Sequence, residues 1–152
     1  MRLLSYFFIL FVVLLVSSCP NQGNADIDKL LSDREQALET KNVDLYMSLI
    51  SPDYNQEKNN KAIGVEEIRK NFLSNVTLFD NLDISHVDRS IYDKGQKAEV
   101  VQMTVVNTAV NESKSIFKIN ERIELAKIDG KWLIVKESDA DFLERFVFGG
   151  SD

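Results

Sequence analysis

Between Phe117 and Leu125 the alternate residues Phe117, Ile119, Ile123 and Leu125 share a parity with Glu121, while Lys118, Asn120, Arg122 and Glu124 occupy the other row. A carboxyl group set in an apolar row leaves water on folding. Unless a cation pairs with it, its pKa rises, which is how an acid becomes a proton-transfer group near neutral pH. Glu121 is therefore the candidate catalytic residue. A bulge that turns it outward, a structural ion pair and a protein interface are its other readings. Glu137 has the parity of Leu133 and Val135, yet Trp132 and Ile134 make an equally apolar opposite row, so the pattern leaves its direction open. His86, in Ser85-His86-Val87-Asp88, is the sole imidazole, and Cys19 is the sole thiol. One His and one Cys cannot build the usual His/Cys zinc sites, and no Ser/His/Asp order or phosphate-binding glycine loop appears. No metal and no cofactor is expected.

The elements that must hold these side chains are legible in the periods. From Asp26, the residues Ile27, Leu30, Leu31, Arg34, Ala37 and Leu38 recur at three- and four-residue spacings, which predicts an amphipathic helix of about four turns. Asn42 is a predicted N-cap for a second helix over Val43 to Ile50, which Pro52 stops. Tyr54 to Asn60 reads as a polar connection, and Gly64 opens a third helical pattern with Val65, Ile68 and Phe72. Beyond residue 76 the texture changes to period two. Strands are predicted over Leu82 to Tyr92, Lys97 to Val106, Ser115 to Ile128 and Lys131 to Ser138, with turns at Asp93–Gln96, over 107–114 and at Asp129-Gly130. Three helices followed by an antiparallel meander make one α+β domain over residues 26–138.

This order resembles the nuclear transport factor 2-like superfamily, also called cystatin-like, in which three N-terminal helices pack on a curved antiparallel sheet to form a cone. The matching pieces are Ala37-Leu38-Glu39-Thr40-Lys41-Asn42-Val43-Asp44, Ser51-Pro52-Asp53-Tyr54, Gly64-Val65-Glu66-Glu67-Ile68, Lys97-Ala98-Glu99-Val100 and Asp129-Gly130-Lys131-Trp132-Leu133-Ile134-Val135. The resemblance implies a pocket where the concave face meets the helices. Tyr54, Phe72, Met103, Glu121 and Glu137 are its candidate lining residues. The superfamily includes SnoaL-like and ketosteroid isomerases, dehydratases, cyclases and association domains, so the fold decides little about function. Gln102, Thr104, Arg122 and Glu124 are the positions expected on the convex face, through which relatives dimerise.

The N-terminus carries an address. Arg2 is the only charge before Leu3–Val16, where twelve of fourteen residues are Leu, Ile, Val or Phe, too short a run for a comfortable membrane span. It ends in Val16-Ser17-Ser18-Cys19, which resembles the lipobox of bacterial lipoproteins. That resemblance implies a signal peptide over residues 1–18 and a lipid on Cys19, with palmitate or another acyl chain on the new amino group. A polar tether fills out residues 19–25. Pro rather than Asp follows the cysteine, which favours the outer membrane in a cell that has one. The membrane, reached through Cys19, is thus an expected partner, and the cell envelope the expected location.

The 18 Lys and Arg against 24 Asp and Glu give net charge −6, so the chain lacks the positive field that nucleic-acid binding needs. Residues 139–152 hold Phe142, Leu143, Phe146 and Phe148 at spacings that suit a short helix. They close the open end of the cone or dock a second protein. The reading that follows is an envelope lipoprotein whose domain binds a small apolar ligand or another envelope protein without catalysis. An isomerase, dehydratase or cyclase using Glu121 with Tyr54 or His86, and a dimerising interaction module, are the alternatives.

Overall fold

The computed structural model describes residues 22–58, 61–110 and 112–138; residues 1–18, Cys19 and residues 139–152 lie outside the described residues. The elements run α1 (Gln22–Glu39), α2 (Val43–Leu49), β1 (Gln56–Lys58), β2 (Lys61–Ile63), α3 (Val65–Val76), β3 (Asn81–Asp93), β4 (Lys97–Val110), β5 (Ser113–Ile128) and β6 (Lys131–Glu137). The three helices pack on one face of a curved antiparallel sheet of order β3-β4-β5-β6, and β1 pairs with β2 as a separate hairpin. This is the expected α+β cone. No described helix is long and apolar enough to cross a membrane.

Helix α1 starts at Gln22, so four residues read as tether are helical. Its buried stripe is Ile27, Leu30, Leu31, Arg34, Ala37 and Leu38, the spacing seen in the sequence. Lys41 ends it in the left-handed region, φ 55°. The Asn42 N–H reaches back to the Ala37 carbonyl at 2.8 Å and the Lys41 N–H to that of Leu38 at 3.2 Å, a Schellman closure. Asn42 then opens α2, its Oδ1 accepting from the Leu45 N–H at 3.0 Å. One residue therefore fixes the angle between α1 and α2. Gly64 begins α3, with Glu66 and Glu67 in the first turn, where carboxylates favour the helix dipole. The polar run after Tyr54 is the short β1–β2 hairpin, which the sequence pattern did not disclose.

The strands outrun their sequence signals: β4 continues to Val110 and β5 begins at Ser113, so the polar residues 107–110 and 113–114 pair in a ladder. Alternation assigns the faces. Ala98, Val100, Gln102, Thr104, Val106 and Thr108 of β4, with Glu121, Ile123 and Leu125 of β5, point at the helices and are buried. Met103 has the opposite parity and lies half-buried on the convex face, so it is not a pocket wall. Gln102 and Thr104 were expected on that convex face and are instead concave and buried, because the apolar neighbours Val100 and Val106 share their parity.

Two bulges break the alternation, each at a charged residue. On β3, Val87 faces Met103 and Ser90 faces Val101, so Asp88 and Arg89 together oppose Gln102, and Asp88 takes φ 54°. On β6, Leu125 faces Ile134 while Glu124 faces Lys136, leaving Val135 as the extra residue. That extra residue answers the question of Glu137. Trp132 and Ile134 point inward, the bulge shifts the parity, and Glu137 returns to the same inner row, 2% exposed. The Ser51–Asn55 segment holds the bulge from outside, Ser51 N–H to the Ile134 carbonyl at 2.8 Å and Asn55 N–H to that of Val135 at 3.4 Å.

The β5–β6 turn places Asp129 at φ 50° and Gly130 at φ 79°, the positive pair that a two-residue hairpin matched to strand twist requires. A methyl group at Gly130 would meet no atom within 4 Å, so only the backbone opposes it. Gly130→Ala should cost about 1 kcal/mol, the conformational penalty alone, measured by urea unfolding with an unchanged denaturant slope.

Candidate functional site

The inner carboxylates of the sheet meet one cation from the helices. Arg34, in the middle of the α1 stripe and 1% exposed, donates from Nη2 to Glu121 Oε1 at 2.9 Å and from Nε to Glu137 Oε1 at 2.7 Å. Tyr46, on α2, donates its hydroxyl to Glu137 Oε2 at 2.9 Å, and its ring lies 4.6 Å from that of Phe72 on α3. Thr104 donates to Glu121 Oε2, and Gln102 Nε2 reaches the same oxygen at 3.1 Å and Thr104 Oγ1 at 2.9 Å. Four of the structural elements thus converge with β6 on one guanidinium and two carboxylates.

The network continues to the surface through the β3 bulge. Arg89 donates from Nε to Gln102 Oε1 at 2.7 Å, from Nη2 to Glu35 Oε1 at 2.7 Å and from Nη1 to Asp28 Oδ1 at 3.3 Å. His86 Nδ1 lies 2.9 Å from the same Glu35 oxygen, at the exposed end. His86 therefore sits at the outer edge of α1, away from Glu121, and does not share its carboxylate.

Electrostatics make the centre a fixed ion cluster. Burial opposes the charge on Arg34, but the carboxylates of Glu121 and Glu137 outweigh it and hold the guanidinium pKa well above its ordinary value. Burial alone would lift Glu121. The Arg34 charge, with hydrogen bonds from Thr104 and Gln102, reverses that and holds its pKa below the ordinary carboxylate value. Burial, reinforced by the Glu137 charge, pushes the Tyr46 phenol well above its usual pKa, so it stays a donor. A carboxylate kept ionised and saturated with donors is an anion that anchors a cation. It is poorly suited to exchange a proton with a substrate near neutral pH.

Of the residues nominated from sequence, Glu121, Glu137 and Phe72 gather around Arg34 and Tyr46. Tyr54 is buried and donates to Gln56 Oε1 at 2.7 Å, so its hydroxyl is engaged with the β1 strand. Met103 lies on the other face. Arg34 and Tyr46 were not singled out as site residues, although Arg34 interrupts the apolar stripe of α1 as Glu121 interrupts that of β5. Two opposite charges, each alone in an apolar row, were the available signal. Two grooves open on the surface. One, of about 310 Å³, lies between α1 and the β5–β6 turn and is lined by Leu30, Leu49 and Trp132 with Asp26, Lys29 and Lys131. The other, of about 340 Å³, is lined by Lys94, Lys97, Ala98, Glu99, Glu124 and Val135 among others. Neither is lined by Arg34, Glu121 or Glu137.

Solved structures place this arrangement. A candidate dehydratase of the nuclear transport factor 2-like family from Streptomyces avermitilis superposes with a TM-score of 0.69 at 11% identity, over 78% of this chain and 95% of its own. The fold is nuclear transport factor 2-like. A protein of unknown function from Mycobacterium tuberculosis matches at TM-score 0.67 and 18% identity, over 76% of this chain and 73% of its own. A cystatin-like protein of unknown function from Nostoc punctiforme matches at 0.65 and 18%, over 80% and 92%. No protein-family model and no curated protein matches the sequence. At these identities the nuclear transport factor 2-like likeness is one of fold.

If Arg34 is the counter-ion that makes two interior carboxylates tolerable, Arg34→Met should destabilise the domain by about 3–5 kcal/mol, the cost of leaving buried charge unpaired. The triple variant Arg34→Met/Glu121→Met/Glu137→Met should recover most of that loss, as apolar replacement of whole buried clusters commonly does. Chemical denaturation of the three proteins reads both values. Equal losses in the single and triple variants would show that the charges are not acting as a set.

Proposed function

We propose that this chain is a lipid-anchored protein of the bacterial envelope whose nuclear transport factor 2-like domain binds a small apolar ligand or another envelope protein and catalyses no reaction. The observation that carries the non-catalytic part is the Arg34 cluster. The one carboxylate in the apolar row of β5 is ion-paired at 2.9 Å, accepts from Thr104 and Gln102, and has its pKa lowered, the reverse of what a general acid or base at neutral pH needs. An isomerase, dehydratase or cyclase mechanism through Glu121 would have to break that pairing first. Tyr54 and His86, its proposed helpers, are engaged with Gln56 and Glu35.

The anchoring rests on Val16-Ser17-Ser18-Cys19 and the apolar run before it. A diacylglycerol and a further acyl chain such as palmitate on Cys19 give stable attachment where a single chain would be marginal. Pro20 favours the outer membrane in a two-membrane cell. Removing residues 1–18 takes Arg2 away and leaves net charge −7, so the domain gains nothing from anionic lipid and depends on the anchor. The groove lined by Leu30, Leu49 and Trp132, close to the start of α1, is the best-placed described cleft for an apolar ligand. A second reading, a homodimer through the convex sheet, is favoured by a contiguous apolar strip there. Val101, Met103 and Val105 lie side by side with Val87, which is 44% exposed.

Two measurements test this reading. A chain expressed in a bacterial host with labelled palmitate should carry the label in the membrane fraction, and Cys19→Ser should lose the label and accumulate as the uncleaved precursor. Labelling that survives Cys19→Ser would refute the anchor. Native mass spectrometry of the protein extracted gently from that envelope should then show a bound small molecule or a partner protein, with Glu121→Gln leaving that occupancy intact. A turnover of the released molecule that disappears in Glu121→Gln would contradict the non-catalytic reading, and a twofold mass without other cargo would favour the dimer.

A further inference from the structure

β6 accompanies only half of β5. Its last residue, Glu137, lies opposite Ile123, whereas β5 began at Ser113. Ser138 extends the pairing by one step, its N–H donating to the Arg122 carbonyl at 2.8 Å while its Oγ accepts from the Arg122 N–H at 2.9 Å. Over residues 113–121 β5 runs on beyond the end of β6. That length carries Phe117 and Ile119, half-buried on the concave side, and Ile116, 69% exposed on the other. A strand edge with apolar residues on both faces invites pairing or aggregation unless something covers it.

The chain itself is delivered to this place. β6 is antiparallel to β5, so the residues after Ser138 set out toward residue 120 and then toward Ser113, along the length that β6 leaves. Fourteen residues follow, 139–152, with Phe142, Leu143, Phe146, Val147 and Phe148 among them. Nine residues of β5 span about 30 Å. Fourteen residues reach about 21 Å as a helix and more than 40 Å extended, so either conformation is long enough to cover most of that span. Charge agrees as well. The segment holds Asp139, Asp141, Glu144 and Asp152 against Arg145 alone, and residues 113–121 present the exposed Lys114 and Lys118.

We propose that residues 139–152 fold back on their own chain and dock on the 113–121 half of β5, with their aromatic side chains over Ile119 and Phe117, closing that end of the cone. The occupant is this chain, not a second copy and not another protein. The test replaces Phe146 by a photo-crosslinking phenylalanine analogue in the full chain, expressed and irradiated in the bacterial envelope. The expected result is an adduct at monomer mass whose linked peptide maps to residues 113–121, with a several-fold lower yield when Ile119→Asp is added. Because the unsubstituted β5 already gives the decisive map, poor folding of Ile119→Asp would not rescue or sink the proposal. Adducts at twice the monomer mass, on another protein, elsewhere in the chain, or none at all overturn it.

Discussion

A guanidinium buried without water must be answered by carboxylates, and much of this domain is arranged to supply them. Arg34 reaches the sheet from the middle of α1, and two strands bring it Glu121 and Glu137 at 2.9 and 2.7 Å. The charges do not balance, one cation against two anions, so neutral donors complete the set: Tyr46 on Glu137, Thr104 and Gln102 on Glu121. Buried ion pairs add little net stability compared with apolar packing, because desolvation consumes most of the attraction. Their sharper effect is on the alternatives. A register slip in β5 or a missing bulge in β6 would strand a charge in the core, so the cluster specifies how helices and sheet are mated.

Both bulges serve this arrangement. A regular β6 would carry Glu137 to the face of Leu133 and away from Arg34; the extra residue Val135, pinned by the Ser51–Asn55 segment, returns it. A regular β3 would not bring Arg89 against Gln102; the Asp88 bulge does, and Arg89 then links the core cluster to Glu35 and Asp28 on the outer turns of α1. The polar network therefore runs unbroken from Tyr46 in the core to His86 at the surface. Local backbone irregularity supplies the links that strict alternation would not.

Where a local period dominates, the sequence was legible. The α1 stripe, the Asn42 cap, the Asp129-Gly130 turn and the inward direction of Glu121 all follow from spacing and turn chemistry within a few residues. Direction failed where the determinant was non-local. Glu137 could not be placed because a one-residue bulge is invisible in the pattern of β6, and its cause, the Ser51–Asn55 segment, lies eighty residues away. Gln102 and Thr104 look like surface residues in isolation, and their burial follows from a partner carboxylate on another strand. Met103 was misplaced for the converse reason, an apolar residue on the outer face of a sheet that needs one. Arg34 was visible in the stripe, but its meaning required Glu121 to be recognised as its complement.

The claim on which the account turns is that Glu121 is a permanently ionised anchor for Arg34. The most direct measurement is an NMR titration of the Glu121 side-chain carboxyl carbon in the folded protein, assigned through Glu121→Gln. The account predicts a midpoint below the ordinary carboxylate value of 4.5, displaced upward when Arg34 is replaced by Met. A midpoint near neutrality in the unmodified protein would contradict it and restore Glu121 as a proton-transfer group.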